Sequence, residues 1–225
     1  MLSFYEILQH ATETASGHES NRYGVEVGIV SNVQDPQQLG RVKVQIPRLP
    51  DGPESHWARV AQPAAGAGRG FYWIPEVGDE VLVAFELGQV NCPYVIGSLW
   101  NGKDKPMKDA YTDENTNVMI QTRSGHQIML YDKNGEEKIT IGDKSGKRTV
   151  TFDVKNKKFV VEDAEGDIEM HAKKKIVLEC QDLEIKTSKT TKIDVGNNFS
   201  LNVSADVTIK ADGKLQIKAT RVNIN

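Results

Sequence analysis

Histidine and cysteine side chains are the first residues to consider in this sequence for metal binding or nucleophilic chemistry. The histidines are His10, His18, His56, His126 and His171, and the cysteines are Cys92 and Cys180. Zinc sites place such ligands at short, fixed spacings, and a nucleophilic cysteine needs a neighbouring base. Neither pattern occurs here, so we predict no catalytic residue, no metal site and no cofactor. For His171 the alternative is a metal site shared by several copies across a symmetry axis, whereas Cys180 is expected to be a small buried hydrophobic residue.

Three other stretches suggest chemistry that their surroundings do not support. The segment GAGRG at residues 66–70 resembles a phosphate-binding loop but lacks the Gly-Lys-Ser/Thr ending, so we predict a flexible barrel loop. The aromatic run at residues 71–73 could stack on bases, but we expect it in a barrel core or in a contact between chains. Acidic residues near the C-terminus alternate with lysines, which is typical of a solvated face and not of a catalytic carboxylate pair.

The overall composition is that of an ordinary globular protein made in a reducing compartment. The 225 residues carry 28 Lys and Arg against 31 Asp and Glu, a net charge of −3, and nucleic-acid-binding proteins usually show a basic excess. We therefore predict no nucleic-acid partner. The two distant cysteines indicate no disulfide framework. Without a secretory signal pattern or a run of about 18 apolar residues, the chain is expected to be soluble and synthesised in the cytoplasm.

Residues 23–100 carry the pattern of a small β-barrel. Strands are predicted at residues 25–30, 41–46, 56–61, 80–86 and 94–100. The fourth and fifth runs are apolar at successive positions, which favours strands covered on both faces. Five short strands in a segment of this length predict a five-stranded OB barrel.

The segments on either side of the barrel differ in pattern. Within residues 1–22, an amphipathic helix is predicted from the spacing of Phe4, Ile7, Leu8 and Ala11. Residues 101–116 are polar and rich in turn formers, so we predict a linker. In residues 117–165, short alternating runs are separated by Ser-Gly and Asn-Gly pairs, which favour tight hairpins and predict a β-meander.

Residues 166–225, the octad segment, contain a repeat. Triplets of apolar residues at alternate positions start 7 or 8 residues apart, and a fixed short period is typical of a solenoid. Each repeat has room for a five-residue strand and a three-residue corner. The predicted inward residues are Ile176, Leu178, Ile185, Ile193, Val195, Phe199, Leu201, Val203, Val207, Ile209, Leu215 and Ile217.

A single octad cannot be stable alone. Burying three apolar side chains stabilises it by roughly 5–9 kcal/mol, whereas ordering eight residues costs about 8–16 kcal/mol. The octads must therefore stack. The period leaves open whether one chain coils on itself or several chains intertwine; we favour three intertwined chains that form a triangular β-prism around the predicted inward residues.

Several segments resemble the OB domain of contractile-tail spike proteins, the phage baseplate assembly protein V type and the VgrG proteins of type VI secretion. The resemblance is most specific in IPEVGDEVLVAFE (residues 74–86) and VIGSLWNGKDKP (residues 95–106). TRSGHQIMLYD (residues 122–132) is similar to the entry of that family into its β-prism. The resemblance covers roughly residues 24–225.

The resemblance implies a homotrimeric spike driven through a target membrane when a sheath contracts. Only 22 residues precede the barrel, so the hub is expected to be a separate protein, contacted by the N-terminal helix. The short segment 101–116 leaves no space for a lysozyme domain. The resemblance also implies a PAAR-type tip protein on Val222, Asn223, Ile224 and Asn225.

We therefore predict a non-enzymatic, all-β structural protein that is assembled in the bacterial cytoplasm into a phage tail or injection particle and delivered across a target envelope on firing. Two alternatives of other classes remain at this point. One is an OB-fold protein that binds single-stranded nucleic acid, and the other is a trimeric β-helix that binds or cleaves carbohydrate.

Overall fold

The computed structural model describes residues 22–48 and 52–223. The predicted N-terminal helix, with Phe4, Ile7, Leu8 and Ala11, lies outside the described residues. The chain divides into two compact units, residues 1–168 and 169–225, which are considered separately. The first unit contains the strands described below, so the prediction of an all-β chain is confirmed. Within the described ranges, no helix has the length and apolarity required to cross a membrane.

Five strands of the first unit form a closed barrel. They are β1 (Val25–Asn32), β2 (Lys43–Gln45), β3 (Arg59–Val60), β6 (Glu80–Phe85) and β7 (Pro93–Ser98), in the order β2-β1-β6-β7-β3. The β3–β7 pair is parallel and the other pairs are antiparallel. Val42 and Ala58 close the ring by donating to each other's carbonyl groups at 3.0 and 2.7 Å. This arrangement is OB-like, in agreement with the predicted barrel.

The barrel core consists of small and β-branched residues at alternate strand positions. Its buried members are Val30, Val42, Val44, Ile46, Ala58, Val81, Val83, Phe85 and Val95. In β6 burial alternates strictly, so only one face of the strand is buried. The prediction that β6 and β7 are covered on both faces is therefore wrong, because a barrel strand presents one face to the interior and the other to the outside.

The glycine-rich segment forms a short hairpin outside the barrel. Its strands β4 (Ala65–Gly66) and β5 (Arg69–Gly70) pair with each other and are fully exposed. Gly70 has a φ of 151°, and a Cβ at this position would lie 2.5 Å from the Ala64 carbonyl oxygen, so this close approach requires glycine. The predicted flexible loop is thus a paired ribbon at residues 65–70.

The aromatic run that follows the hairpin does not enter the barrel core. Phe71, Tyr72 and Trp73 are all exposed, and the rings of Phe71 and Trp73 stack with centroids 6.2 Å apart. A location in the core, one of the two predicted for this run, is therefore wrong. These side chains remain accessible for contact with another chain.

A second five-stranded sheet follows the barrel in the first unit. Its strands are β8 (Asn117–Gln121), β9 (Gln127–Tyr131), β10 (Lys138–Gly142), β11 (Arg148–Asp153) and β12 (Lys158–Asp163). They pair antiparallel in chain order, so the sheet is a meander. Gly125, Gly135 and Gly146 have positive φ angles in the connections, where the tight turns require a left-handed conformation.

Arg148 joins three parts of the meander at one end. Its guanidinium group donates to Asp143 and to Asp163, each at 3.1 Å. The Ser145 hydroxyl also donates to Asp143, at 2.7 Å. The Ser145 hydrogen bond, assisted by Arg148, lowers the pKa of Asp143 to about 2 from an ordinary value of 3.8. This end of the sheet is therefore stabilised by an ionised carboxylate.

Acidification is expected to weaken the meander between about pH 4 and pH 2. In this window the unfolded chain binds more protons than the folded chain, since the folded-state pKa of Asp143 is the lower one. Its contribution is complete above pH 4 and is lost as the pH falls through the folded pKa. Urea unfolding at pH 5, 3 and 2 should show a shallower loss of stability in Asp143→Asn than in the wild type. Identical pH dependences would contradict this assignment.

The second unit contains no helix or strand in residues 169–223, and all of these residues are exposed. The chain bends at residues 173–174, 181, 188–189, 196–197, 204–205, 212–213 and 220. Successive bends are thus about 7 or 8 residues apart, the same interval as the apolar triplets. Corners occur between the triplets, but the stretches between corners have no hydrogen-bonded partner strand within the described part of the chain.

Candidate assembly interface

The predicted inward residues of the octad segment are exposed in the single chain. Their exposed fractions range from 46% for Val195 to 69% for Ile185. The full set is Ile176, Leu178, Ile185, Ile193, Val195, Phe199, Leu201, Val203, Val207, Ile209, Leu215 and Ile217. Contiguous apolar surface on this scale is typical of an interaction site. The predicted inward residues are therefore not buried within the single chain.

Polar and apolar side chains separate onto opposite sides of these stretches. Glu184 and Lys186 form an ion pair of 2.8 Å on either side of Ile185 in the sequence. Lys192 and Asp194 do the same around Ile193, at 2.6 Å. Residues two positions apart lie on one side of a strand-like chain, so the intervening isoleucines lie on the other. Such exposed pairs contribute little stability, but they mark the solvent side.

The residues predicted to contact a tip protein are described in part. Val222 is 52% exposed, and the Arg221 side chain donates to Asn223 Oδ1 at 3.0 Å. Ile224 and Asn225 lie outside the described residues. The tip contact therefore remains a prediction.

The histidines and cysteines are not gathered into a ligand site. Among residues 22–48 and 52–223, no group of three or more His, Cys, Asp or Glu side chains is placed to hold a metal ion. His171 Nε2 lies 3.2 Å from a Glu169 carboxylate oxygen on the surface. Cys180, predicted to be buried, is exposed in the single chain because the octad segment buries nothing by itself.

Asp35 anchors the loop between β1 and β2. Its carboxylate accepts two hydrogen bonds from the Arg41 guanidinium, at 3.0 and 2.7 Å, and others from the backbone N–H groups of Gln37, Leu39 and Arg41. The Arg41 side chain, with these N–H groups, holds the pKa of Asp35 well below its ordinary value of 3.8. The sequence analysis missed this role. The sequence did contain a signal for it, because Asp35 and Arg41 are oppositely charged and lie six positions apart around a turn that contains proline.

The barrel has a surface of basic and aromatic side chains, which is the feature expected of a protein that binds single-stranded nucleic acid. Arg41 and Lys43 lie 5.9 and 5.5 Å from the centre of the Trp57 ring. Stacking on such rings next to free cations would suit a single strand. However, Arg41 is paired with Asp35, and Lys43 is paired with Glu54 at 2.6 Å. These carboxylates neutralise the cations that a phosphate backbone would require, so the surface does not favour a polyanion.

A second apolar surface, missed in the sequence analysis, lies on one face of the meander. We call it the apolar sheet face, and its members are Val118, Ile120, Ile128, Leu130, Ile139, Ile141, Val150, Phe152, Phe159 and Val161. All ten are exposed or only partly buried. The signal was present as alternation in each strand, but the strand pairing was needed to bring the ten residues together.

The closed barrel and the meander define an all-β protein with an OB-like domain. Residues 26–100 match the family described as Type VI secretion system/phage-baseplate injector OB domain. The sequence is also 32% identical over 111 residues to the actin cross-linking toxin VgrG1 of Vibrio cholerae, covering 44% of this chain and 10% of that protein.

Other relatives carry spike names. The type VI secretion system spike protein VgrG3 of Vibrio cholerae is 32% identical over 112 residues, covering 46% of this chain and 11% of the relative. VgrG2a of Pseudomonas aeruginosa is 39% identical over 73 residues, covering 31% of this chain and 9% of the relative. The matches thus span about a tenth of these curated relatives. The resemblance to baseplate and VgrG spike proteins is confirmed, and its matched family region is the barrel.

Proposed function

We propose that this chain is the structural central spike of a contractile tail or injection machine. In this role three copies intertwine through the octad segment and form a narrow β-prism, while the three barrels form its base. The observation that carries the proposal is the octad segment itself. Its apolar residues are exposed in the single chain, and its bends recur at the interval of the apolar triplets.

Intertwining explains why residues 166–223 of the segment have no strand partner within the described part of the chain. In a trimeric prism each octad pairs with octads of the other two chains, so its backbone groups are satisfied only in the assembly. If each octad advances the prism by one strand spacing of roughly 4.8 Å, the eight triplets give it a length on the order of 35–40 Å along its axis. The result is a thin, stiff rod with few free strand edges, which suits transmission of an axial force.

The mass of the protein in solution tests the trimer. One chain has a mass of 25.0 kDa, so the trimer should elute with a mass of about 75 kDa by light scattering. Strand content measured by circular dichroism should also exceed that of the single chain, because the octads become paired. A stable species of one-chain mass would contradict the proposal.

The remaining parts of the proposal concern the partners of the spike. We infer that the barrels are seated on a separate hub protein, through the helix predicted from the sequence pattern of Phe4, Ile7, Leu8 and Ala11. A PAAR-type tip protein would cover Val222, Asn223, Ile224 and Asn225, and the rod would contact the target membrane only on firing. The machine would be assembled in the bacterial cytoplasm and would act without enzymatic chemistry in this chain.

Particle purification tests the role in the machine. An epitope-tagged chain should co-sediment with contractile particles from the source bacterium, at three copies per particle. A strain lacking the gene should make no particles that kill or inject. Normal injection without this chain would contradict the spike role, whatever its oligomeric state.

A further inference from the structure

The barrel has an open groove between two of its loops, and we call it the barrel groove. One loop joins β1 to β2, the first and second barrel strands, and the other joins β6 to β7, the fourth and fifth. The volume of the groove is about 630 Å³, within the range of roughly 300–1,000 Å³ that is typical of small-ligand sites. Residues that line it include Leu39, Trp57, Arg59, Glu86, Asn91 and Tyr94. OB barrels bind oligonucleotides and oligosaccharides beside these same two loops, so the groove lies at the usual ligand position of the fold.

Three side chains of the groove combine hydrogen-bond donors with acceptors at one place. The Tyr94 hydroxyl donates to the Glu86 carboxylate at 2.7 Å, and this hydrogen bond raises the pKa of Tyr94. The central guanidinium carbon of Arg59 lies 5.5 Å from the centre of the Tyr94 ring. Arg59 and Glu86 are both exposed. A ligand in the groove therefore meets a fork of N–H donors beside a carboxylate acceptor.

The charges around the groove balance one another. Arg41, which also lines it, lies 2.7 Å from an Asp35 carboxylate oxygen. Arg59 and Glu86 both contact Tyr94, so the second arginine also has a carboxylate beside it. A phosphate backbone gains its affinity from cations that it neutralises, and these cations already have anionic neighbours. The groove therefore offers charge-assisted hydrogen bonds without a net charge, which matches an uncharged polar ligand.

Apolar surface lies next to these polar groups. The Trp57 ring is partly buried in the wall of the groove, and Leu39, on the β1–β2 loop, is 67% exposed. On the other loop, Asn91 is exposed and carries an amide that can both donate and accept. A pyranose ring has apolar C–H groups on its faces and hydroxyl groups around its edge. The groove thus provides surfaces for both parts of a sugar ring.

We propose that the barrel groove binds a neutral oligosaccharide. Sugar rings lie against Trp57 and Leu39, and their hydroxyl groups exchange hydrogen bonds with Arg59, Glu86 and Asn91. The inference goes beyond the proposed spike, because piercing an envelope requires no ligand. It does not depend on the trimer either, since these five residues lie within the barrel of one chain.

Titration calorimetry of the full-length protein with cellotetraose and chitotetraose tests the site. Both probes are neutral, β-linked chains of pyranose rings. We expect saturable binding of at least one of them, about tenfold or more tighter than that of oligogalacturonate, whose rings each carry a carboxylate that Glu86 would repel. If neither tetrasaccharide binds at millimolar concentration, the proposal is wrong. Salt-sensitive binding of oligothymidylate in their place would overturn it in favour of a nucleic-acid site.

A matched pair of arginine substitutions locates the binding in the groove. Arg59→Gln removes the guanidinium fork and should weaken tetrasaccharide binding about tenfold. Arg48→Gln removes the same charge from an exposed position outside the groove and should change the affinity little. Asn91→Ala, on the other loop, should weaken binding several-fold, and tryptophan fluorescence checks that each variant is folded. Equal affinities in Arg59→Gln and Arg48→Gln would overturn the groove as the site.

Light scattering of the same samples separates this inference from the spike proposal. Tetrasaccharide binding by a protein of one-chain mass would support the groove and overturn the trimer. A 75 kDa species that binds neither tetrasaccharide would overturn the groove and leave the trimer intact.

Discussion

Replacing Leu201 by aspartate should abolish the trimer, with the wild type near 75 kDa and the variant near 25 kDa or aggregated. Leu201 is 65% exposed in the single chain and central in the Phe199, Leu201, Val203 triplet. In the proposed prism three copies of this side chain meet on one axis. Three carboxylates there have neither water nor a counter-charge, and an uncompensated buried charge costs about 3–5 kcal/mol per chain. Light scattering at several concentrations measures the loss.

The adjacent residue provides the control for this experiment. Asn202→Asp adds the same charge one position further along, on the solvent side of the chain, and changes the side chain by a single group. The trimer should survive in this variant with little change in stability, since exposed charges cost little. Equal behaviour of the two aspartate variants would show that the alternation in the octad segment does not define an interior.

Removing the Asp35 carboxylate should destabilise the barrel. In Asp35→Ala, Arg41 loses both of its hydrogen bonds to the carboxylate, and three backbone N–H groups lose their acceptor. Donors left without partners in a partly buried site carry the full cost of desolvation. We expect the thermal unfolding temperature of the barrel to fall by at least several degrees, followed by tryptophan fluorescence.

Two further variants separate charge from packing at this site. Asp35→Asn keeps the shape and one acceptor oxygen, so it should be intermediate between the wild type and Asp35→Ala. Asp109→Ala removes a carboxylate from an exposed position and should change the unfolding temperature little. A wild-type unfolding temperature in Asp35→Ala would show that the loop before β2 does not depend on this carboxylate. Since the pKa of Asp35 is lowered by folding, its contribution should persist from neutral pH down to about pH 4 and then decline.

Local pattern was sufficient for much of the barrel. The alternating run at β1 and the apolar runs at β6 and β7 each predicted a strand within a few residues of its observed bounds. The run at residues 56–61 was less successful, because only Arg59–Val60 is a regular strand. Its neighbour Ala58 takes part instead in the bridge that closes the ring. Closure depends on which distant strand is adjacent, and the sequence of a single strand contains no such information.

The sequence alone determined that this protein is built from β-structure and ends in a repeated apolar pattern, because alternation and period are properties of neighbouring residues. Tertiary structure decided which residues share a surface. Strand pairing brought the ten residues of the apolar sheet face together. Folding of the β1–β2 loop placed the Arg41 side chain on Asp35. These outcomes depend on contacts between residues that are far apart in the chain or that meet in a specific turn. Such contacts contribute to the free energy of folding only after the backbone has folded, so local sequence does not determine them.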